Sequence, residues 1–194
     1  FYFLTFTMKK TIIFGLGLVF TFFVVVGCAP IESNEQSNEQ NNDEVITEEI
    51  NTVDWKSVEL TDVRTGEQFT VSDFDVPVLL ESFAVWCPTC TKQQNIIKEL
   101  HQEVGDTVVS ISLDTDPNED EAQILEHITR NDFDWRYAVS PSDMVKSLIA
   151  EFGVGVVNAP RAPVVLVCPD NTARFLPGGV KDVEELQEEI ANGC

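Results

Sequence analysis

Positive charge is scarce in this sequence. Twelve lysines and arginines stand against 33 aspartates and glutamates, for a formal net charge of −21. A nucleic-acid surface needs Lys and Arg to meet phosphates, so the balance argues against nucleic acid as a partner. It favours solubility and names no substrate. Histidine is nearly absent: His101 and His127 are the two, and they form no paired motif. Cysteine is sparse as well, five in 194 residues, and only Cys87 and Cys90 lie close together. A structural zinc site built on that pair would need two more ligands nearby, and the sequence offers none in a second paired motif.

What the chain does have begins at its N-terminus. Lys9 and Lys10 follow Met8, Thr11 to Val26 is apolar, and the run ends at Gly27-Cys28. Charge, short apolar core and small residue is the order of a secretory signal. Gly27-Cys28 resembles a lipobox, in which the cysteine becomes a lipidated N-terminus. The apolar core is at the lower limit for a spanning helix, so an uncleaved anchor is the alternative. Either arrangement places the rest on the outer side of the cytoplasmic membrane. Phe1 to Thr7 does not fit an n-region, so Met8 is the expected start. Residues 29–52 are polar and acidic, with "SNEQ" twice in succession. They carry too little apolar surface to fold and read as a flexible tether. The expected organisation is a leader over 1–28, a linker over 29–52 and one domain over 53–194.

Within that domain "SVELTDV" and "EQFTVSDF" flank a Gly-containing turn and read as an entrance β-hairpin. "PVLLESFAV" and "DTVVSISLD" read as buried strands. A helix is predicted from Pro88 to Val104, with Ile96, Ile97, Leu100 and Val104 on one face and Gly105 ending it. "NEDEAQILEHITRNDF" is a second helix with acids in its first turn, and "WRYAVS" a short strand. "SDMVKSLIAEFGV" is a helix capped by Ser142 or Asp143. A strand–turn–strand and a closing helix around Leu186 follow. The order is that of an α/β domain with a mixed sheet.

Cys87-Pro-Thr-Cys90 sits between the first buried strand and the first long helix. Placed at the helix N-cap, Cys87 can accept hydrogen bonds from the free N–H groups of the first turn, and the helix dipole favours a thiolate there. Pro88 then falls at N1, where its missing N–H costs little. Cys90 lies one turn along, more buried and able to resolve a mixed disulfide. Metal binding and an inert bridge are the other uses of such a pair; the first lacks its further ligands, and the second needs neither Trp86 before it nor a helix directly after it.

"FAVWCPTC" resembles the active-site segment of the thioredoxin superfamily. "RAPVVLV" resembles the loop of that fold that carries a cis-proline facing the disulfide. The leading hairpin, the helical insertion before "FGV" and the tether are similar to the TlpA/ResA-like branch. The resemblance implies a thioredoxin-like fold with a mixed central sheet flanked by helices. It also implies a membrane-tethered, extracytoplasmic thiol–disulfide oxidoreductase. By the same resemblance Glu81 is a buried carboxyl serving as proton acceptor for Cys90. Pro163 is the cis-proline, and Ala162 offers its backbone to an extended substrate. The branch reduces protein disulfides and takes electrons from a membrane donor. It implies no cofactor and no metal, and a monomer is expected. Pro88-Thr89 departs from the Gly-Pro of many thioredoxins and leaves the direction of electron flow open.

In that fold Cys168 and Cys194 both reach the end remote from the active site, each about 17–18 Å from it. A structural disulfide between them is expected. Trp55 and Trp135 read as packing residues, Phe83 and Trp86 as shields of the redox pair, Lys92 as solvated, and His101 and His127 as surface or partner-contact residues. Two other functions remain: a thiol peroxidase, although Ala84 stands where such enzymes carry threonine, and a copper-delivery protein, although the cysteine spacing is short for one.

Overall fold

The computed structural model describes residues 53–194. The expected leader, the lipidation site Cys28 and the acidic linker lie outside the described residues. In order come β1 (Leu60–Thr61), β2 (Gln68–Phe69), β3 (Val78–Phe83), α1 (Pro88–Val104), β4 (Val109–Asp114), α2 (Glu121–Asn131), β5 (Arg136–Val139), α3 (Ser142–Phe152), β6 (Val164–Val167), β7 (Ala173–Phe175) and α4 (Val183–Gly193). β1 and β2 form a small antiparallel hairpin. The other strands make one sheet in the order β5-β4-β3-β6-β7. β3, β4 and β5 run parallel, joined through α1 and α2, while β6 is antiparallel to both β3 and β7. This is the mixed α/β architecture that the residue pattern predicts.

β3 is central, and all six of its residues are buried. A strand covered on both faces can be apolar throughout, which is why "VLLESF" shows almost no polar alternation. Alternate residues still divide between two cores. Leu79 and Phe83 pack with Ile97 and Leu100 of α1, Ile124 and Ile128 of α2, and Leu186 of α4. Val78 and Leu80 pack with Met144 and Leu148 of α3 and with Trp55, Leu60 and Phe69 of the entrance segment. Glu81 lies between Leu79 and Phe83 and shares their face, so its carboxyl points under α1.

Helix ends follow local chemistry. α2 opens with a reciprocal Asp120–Gln123 capping box and α4 with the equivalent Asp182–Glu185 pair. α3 departs from expectation. Its N-cap is Pro141, whose side chain has no acceptor for the free N–H groups of the first turn, and Ser142 and Asp143 fall inside that turn. Asp143 acts there through its charge at the helix N-terminus. No helix among the described residues is long and apolar enough to cross a membrane.

Cys168, just past β6, and Cys194, just past α4, are joined in a disulfide with a Cα–Cα distance of 5.2 Å. It ties the closing helix to the sheet across 26 residues of sequence. Closing a loop of that length restricts the unfolded chain by roughly 3 kcal/mol. The double variant Cys168→Ser/Cys194→Ser should lose about that much stability in urea unfolding, while the Cys87–Cys90 redox potential stays where it was. A change in that potential would mean that the two disulfides are coupled.

Candidate active site

Cys87 is the N-cap of α1, with extended backbone at φ −87° and ψ 107°, and Pro88 is the first helical residue. The turn before it is closed by the Cys87 N–H donating to the Ala84 carbonyl at 3.0 Å. Cys87 and Cys90 form a disulfide, with Cα atoms 5.3 Å apart. The two sulfurs have opposite polar surroundings. Cys87 Sγ accepts the backbone N–H of Cys90 at 3.1 Å, which favours a thiolate there after reduction. Cys90 Sγ lies 3.0 Å from the carbonyl oxygen of Ala159, an acceptor that favours the protonated thiol.

Both sulfurs are covered in this oxidised form: Cys87 is 1 % and Cys90 0 % exposed. An accessible Cys87 was expected. The cover comes from the 3-10 turn Ala159–Arg161, which packs onto the start of α1. Trp86 stands beside the pair and is 59 % exposed. Its Nε1 donates to Asp116 Oδ2 at 2.6 Å, and the neighbouring Val85 N–H donates to Glu119 Oε2 at 2.7 Å. The loop after β4 thus grips the turn that presents Cys87. Beside Trp86 runs a groove of about 350 Å³, lined by Pro117, Val157, Ala159 and Pro160 among others. Pro88 is exposed and Thr89 half-buried at the helix mouth.

The expected cis-proline is corrected. No cis peptide bond occurs among the described residues, so Ala162–Pro163 is trans. The chain reverses instead in the backbone of Ala162, which is left-handed at φ 46° and ψ 59° and closes the turn by donating to the Ala159 carbonyl at 2.8 Å. A trans bond is the ordinary state of X–Pro, and the left-handed residue makes the reversal without leaving it. The backbone of Ala162, expected to pair with substrate, is engaged within the fold in this structure. Ala162 is fully buried, its N–H is taken by Ala159, and its carbonyl accepts from Lys181 Nζ at 3.4 Å. Pro163 is buried too, and its carbonyl accepts from Ser82 N at 3.2 Å, continuing the β3–β6 ladder.

Under α1 lies a polar layer. Glu81 is 0 % exposed. Its Oε2 accepts from Ser112 Oγ at 3.0 Å, and Ser112 Oγ accepts in turn from Trp135 Nε1 at 3.0 Å. Glu81 Oε1 has no hydrogen-bond partner, and neither has Gln94 Nε2, which faces the carboxyl at longer range. Burial drives the Glu81 pKa up to about 8, against the opposing pull of Gln94, Ser112 and the positive charge of Lys181. Gln94 is one helical turn below Cys90 on the inward face of α1. Glu81 therefore faces the stretch of α1 one turn beyond Cys90, on the helix's inward side.

Gln94 Oε1 contacts His127 Nε2 at 2.7 Å; an amide oxygen accepts only, so His127 carries the proton on Nε2. His127 is 1 % exposed, and burial, with Arg130 nearby, lowers its pKa to about 4. His101 is half-buried, bonded to Ser110 Oγ at 2.9 Å and stacked on Trp135. Both histidines were expected at the surface. His101 is drawn inward by Ser110 of β4, and His127 by Gln94 of α1 and the ring of Phe83. Lys92 is exposed, as expected. Among the described residues no group of three or more His, Cys, Asp or Glu side chains is placed to hold a metal ion.

Sequence reasoning missed Gln93, Gln94, Ser112, Asp116, Glu119 and Lys181. Gln93 and Gln94 carried a signal, since they lie three and four residues after Cys90 and so share its helix face. Lys181 carried none, because the turn that buries it is set by tertiary packing.

Comparison with known proteins agrees with this geometry. A family model described as Redoxin matches residues 51–170. Bacillus subtilis thioredoxin is 31% identical over 58 residues, which span 30% of this chain and 56% of that protein. A secreted Mycobacterium tuberculosis disulfide oxidoreductase homologous to E. coli DsbE superposes with a TM-score of 0.55 at 16% identity, covering 71% of this chain and 97% of its own. The thioredoxin domain of a Bacteroides vulgatus thiol-disulfide oxidoreductase gives a TM-score of 0.55 at 16% identity, over 69% of this chain and 92% of its own. At such identities the likeness to these two structures is one of fold.

Proposed function

The chain belongs to the Redoxin family, and from that premise we propose that it is a thiol–disulfide oxidoreductase that reduces protein disulfides through Cys87 and Cys90. The observation that carries the reading is the Cys87–Cys90 disulfide at the N-cap of α1, over the buried carboxyl of Glu81. In the reduced protein the Cys87 thiolate attacks one sulfur of a substrate disulfide. One substrate thiolate leaves and a mixed disulfide forms. Cys90 then gives its proton to Glu81, through a bridging water, and attacks Cys87 Sγ. The second substrate thiolate leaves, and two electrons have passed to the substrate while Cys87–Cys90 becomes a disulfide. The turn Ala159–Arg161 gives way to admit the partner, and the groove beside Trp86 receives the polypeptide next to its cysteine.

The TlpA/ResA-like pattern supports the reducing direction and a membrane donor that restores the dithiol. The leader with Gly27-Cys28 supports a lipid-anchored, extracytoplasmic domain. The second disulfide, Cys168–Cys194, suits an oxidising compartment. Redox titration of Cys87–Cys90 by alkylation tests the reading. A potential near about −270 mV, with turnover of a protein disulfide, supports a reductant; one near about −120 mV reverses the direction. Peroxide turnover with a thiol donor, in place of disulfide turnover, would instead make the protein a peroxidase.

A further inference from the structure

Lys181 lies in the turn between β7 and α4 and is 6 % exposed, although lysine is almost never buried unless paired. Its backbone is clamped from α1 on both sides. The Lys181 N–H donates to Gln93 Oε1 at 2.8 Å, and Gln93 Nε2 donates to the Lys181 carbonyl at 3.2 Å. Its ammonium donates to the carbonyls of Gly179 at 2.8 Å and Ala162 at 3.4 Å. Those bonds use two of its three protons. Gln93 lies three residues after Cys90, so one clamp fixes both the resolving cysteine's helix and this charge.

The Ala162 carbonyl that holds the ammonium lies two residues before Val164, the β6 residue paired with Glu81 across the ladder, and Glu81 Oε1 is unpartnered. No ion pair joins the two directly. The other elements packed around Glu81 bring uncharged groups: Gln94 from α1, Ser112 from β4 and Tyr137 from β5, with His127 of α2 behind Gln94 and neutral. On its outer side Lys181 feels Glu185 and Glu189 of α4. A packing role alone does not explain a lysine here, because an apolar side chain would fill the turn without the cost of desolvating an ammonium.

We infer that Lys181 is a positioning residue for the proton step: its buried ammonium, fixed by Gln93, Gly179 and Ala162, supplies the counter-charge that sets the pH at which Glu81 accepts the proton of Cys90. The inference rests on the proposed role of Glu81. With Lys181 charged, the Glu81 carboxylate is favoured; without it, the carboxyl holds its proton to higher pH.

The test is the pH profile of mixed-disulfide resolution in single turnover, using the full chain and a disulfide-bonded peptide. Lys181→Met should move the midpoint up by about one pH unit. Lys181→Arg, which keeps the charge, should stay near wild type. The doubly substituted Glu81→Gln/Lys181→Met should behave as Glu81→Gln alone. Should Lys181→Met fail to fold, Lys181→Gln and an NMR titration of the Glu81 carboxyl carbon give the same reading. An unmoved midpoint in folded Lys181→Met or Lys181→Gln overturns the inference. So does an equal shift in the Glu81→Gln background. If Glu81→Gln leaves the wild-type profile intact, the role of Glu81 itself fails and this inference falls with it.

Discussion

Exchanging Cys90 for serine should stop multiple turnover and leave the protein covalently joined to its substrate. Exchanging Cys87 should stop turnover without leaving any adduct. The asymmetry follows from what each sulfur touches. Cys87 Sγ sits at the positive end of α1 and accepts the Cys90 N–H at 3.1 Å, so reduction leaves a thiolate ready to attack. Cys90 Sγ faces the Ala159 carbonyl at 3.0 Å and stays a thiol until its proton is taken. Serine at 87 has no accessible oxyanion at neutral pH, and turnover should fall on the order of a thousandfold or more. Serine at 90 leaves the first attack intact, and a non-reducing gel should show a mixed-disulfide band that thiol reductant removes. Adducts through Cys90 in the Cys87→Ser variant, and none through Cys87, would reverse the two roles.

The fold was largely legible because burial and local chemistry agreed. "VLLESF" could only be a doubly covered strand, and Cys87-Pro88 could only open a helix that Gly105 closes, with φ 57° there. α3 was misjudged at its start because Ser142 and Asp143 are good caps in isolation. The preceding proline takes the N-cap position and moves them inside the helix.

The site was legible along the chain and illegible across it. Cys87, Cys90 and Glu81 sit in one strand–turn–helix unit, so spacing alone brings them together. The left-handed reversal at Ala162 has no local mark, since alanine rarely adopts it, and a proline next to it invites the wrong explanation. The polar layer was hidden by a misread alternation. "SISLD" in β4 reads as a buried strand with incidental serines, yet Ser110, Ser112 and Asp114 all lie buried on one face. That face meets α1 and α2, where Gln94, His101 and His127 complete the layer. Buried polar groups need partners, and here two of the pairs, Ser112–Glu81 between strands and His127–Gln94 between helices, join residues more than thirty apart in the sequence.

Glu81→Gln should slow mixed-disulfide resolution by about 10²- to 10⁴-fold and make the protein more stable at alkaline pH. The sign of the second effect follows from proton linkage. Burial raises the folded-state pKa from 4.5 to about 8. Between those values the folded protein keeps a proton that the unfolded chain has released, so stability falls as pH rises through that window and levels off above it. The shift corresponds to roughly 5 kcal/mol across the window. Glutamine has no charge to desolvate, so the variant should match wild type within about 1 kcal/mol near pH 4 and exceed it by several kcal/mol near pH 9. The difference between the two proteins is the informative quantity, because other groups add slopes of their own. Asp114, raised to about 7 mainly by burial, destabilises in the same direction as pH rises. His127, lowered to about 4, adds stability as pH rises from about 4 to 6.5. Both contributions cancel in the comparison. Parallel urea-unfolding curves for variant and wild type from pH 4 to pH 9 would show that Glu81 does not hold its proton in the folded state. Curves that part as expected would show a carboxyl kept at a cost to stability, which is what the proposed proton transfer to Glu81 requires.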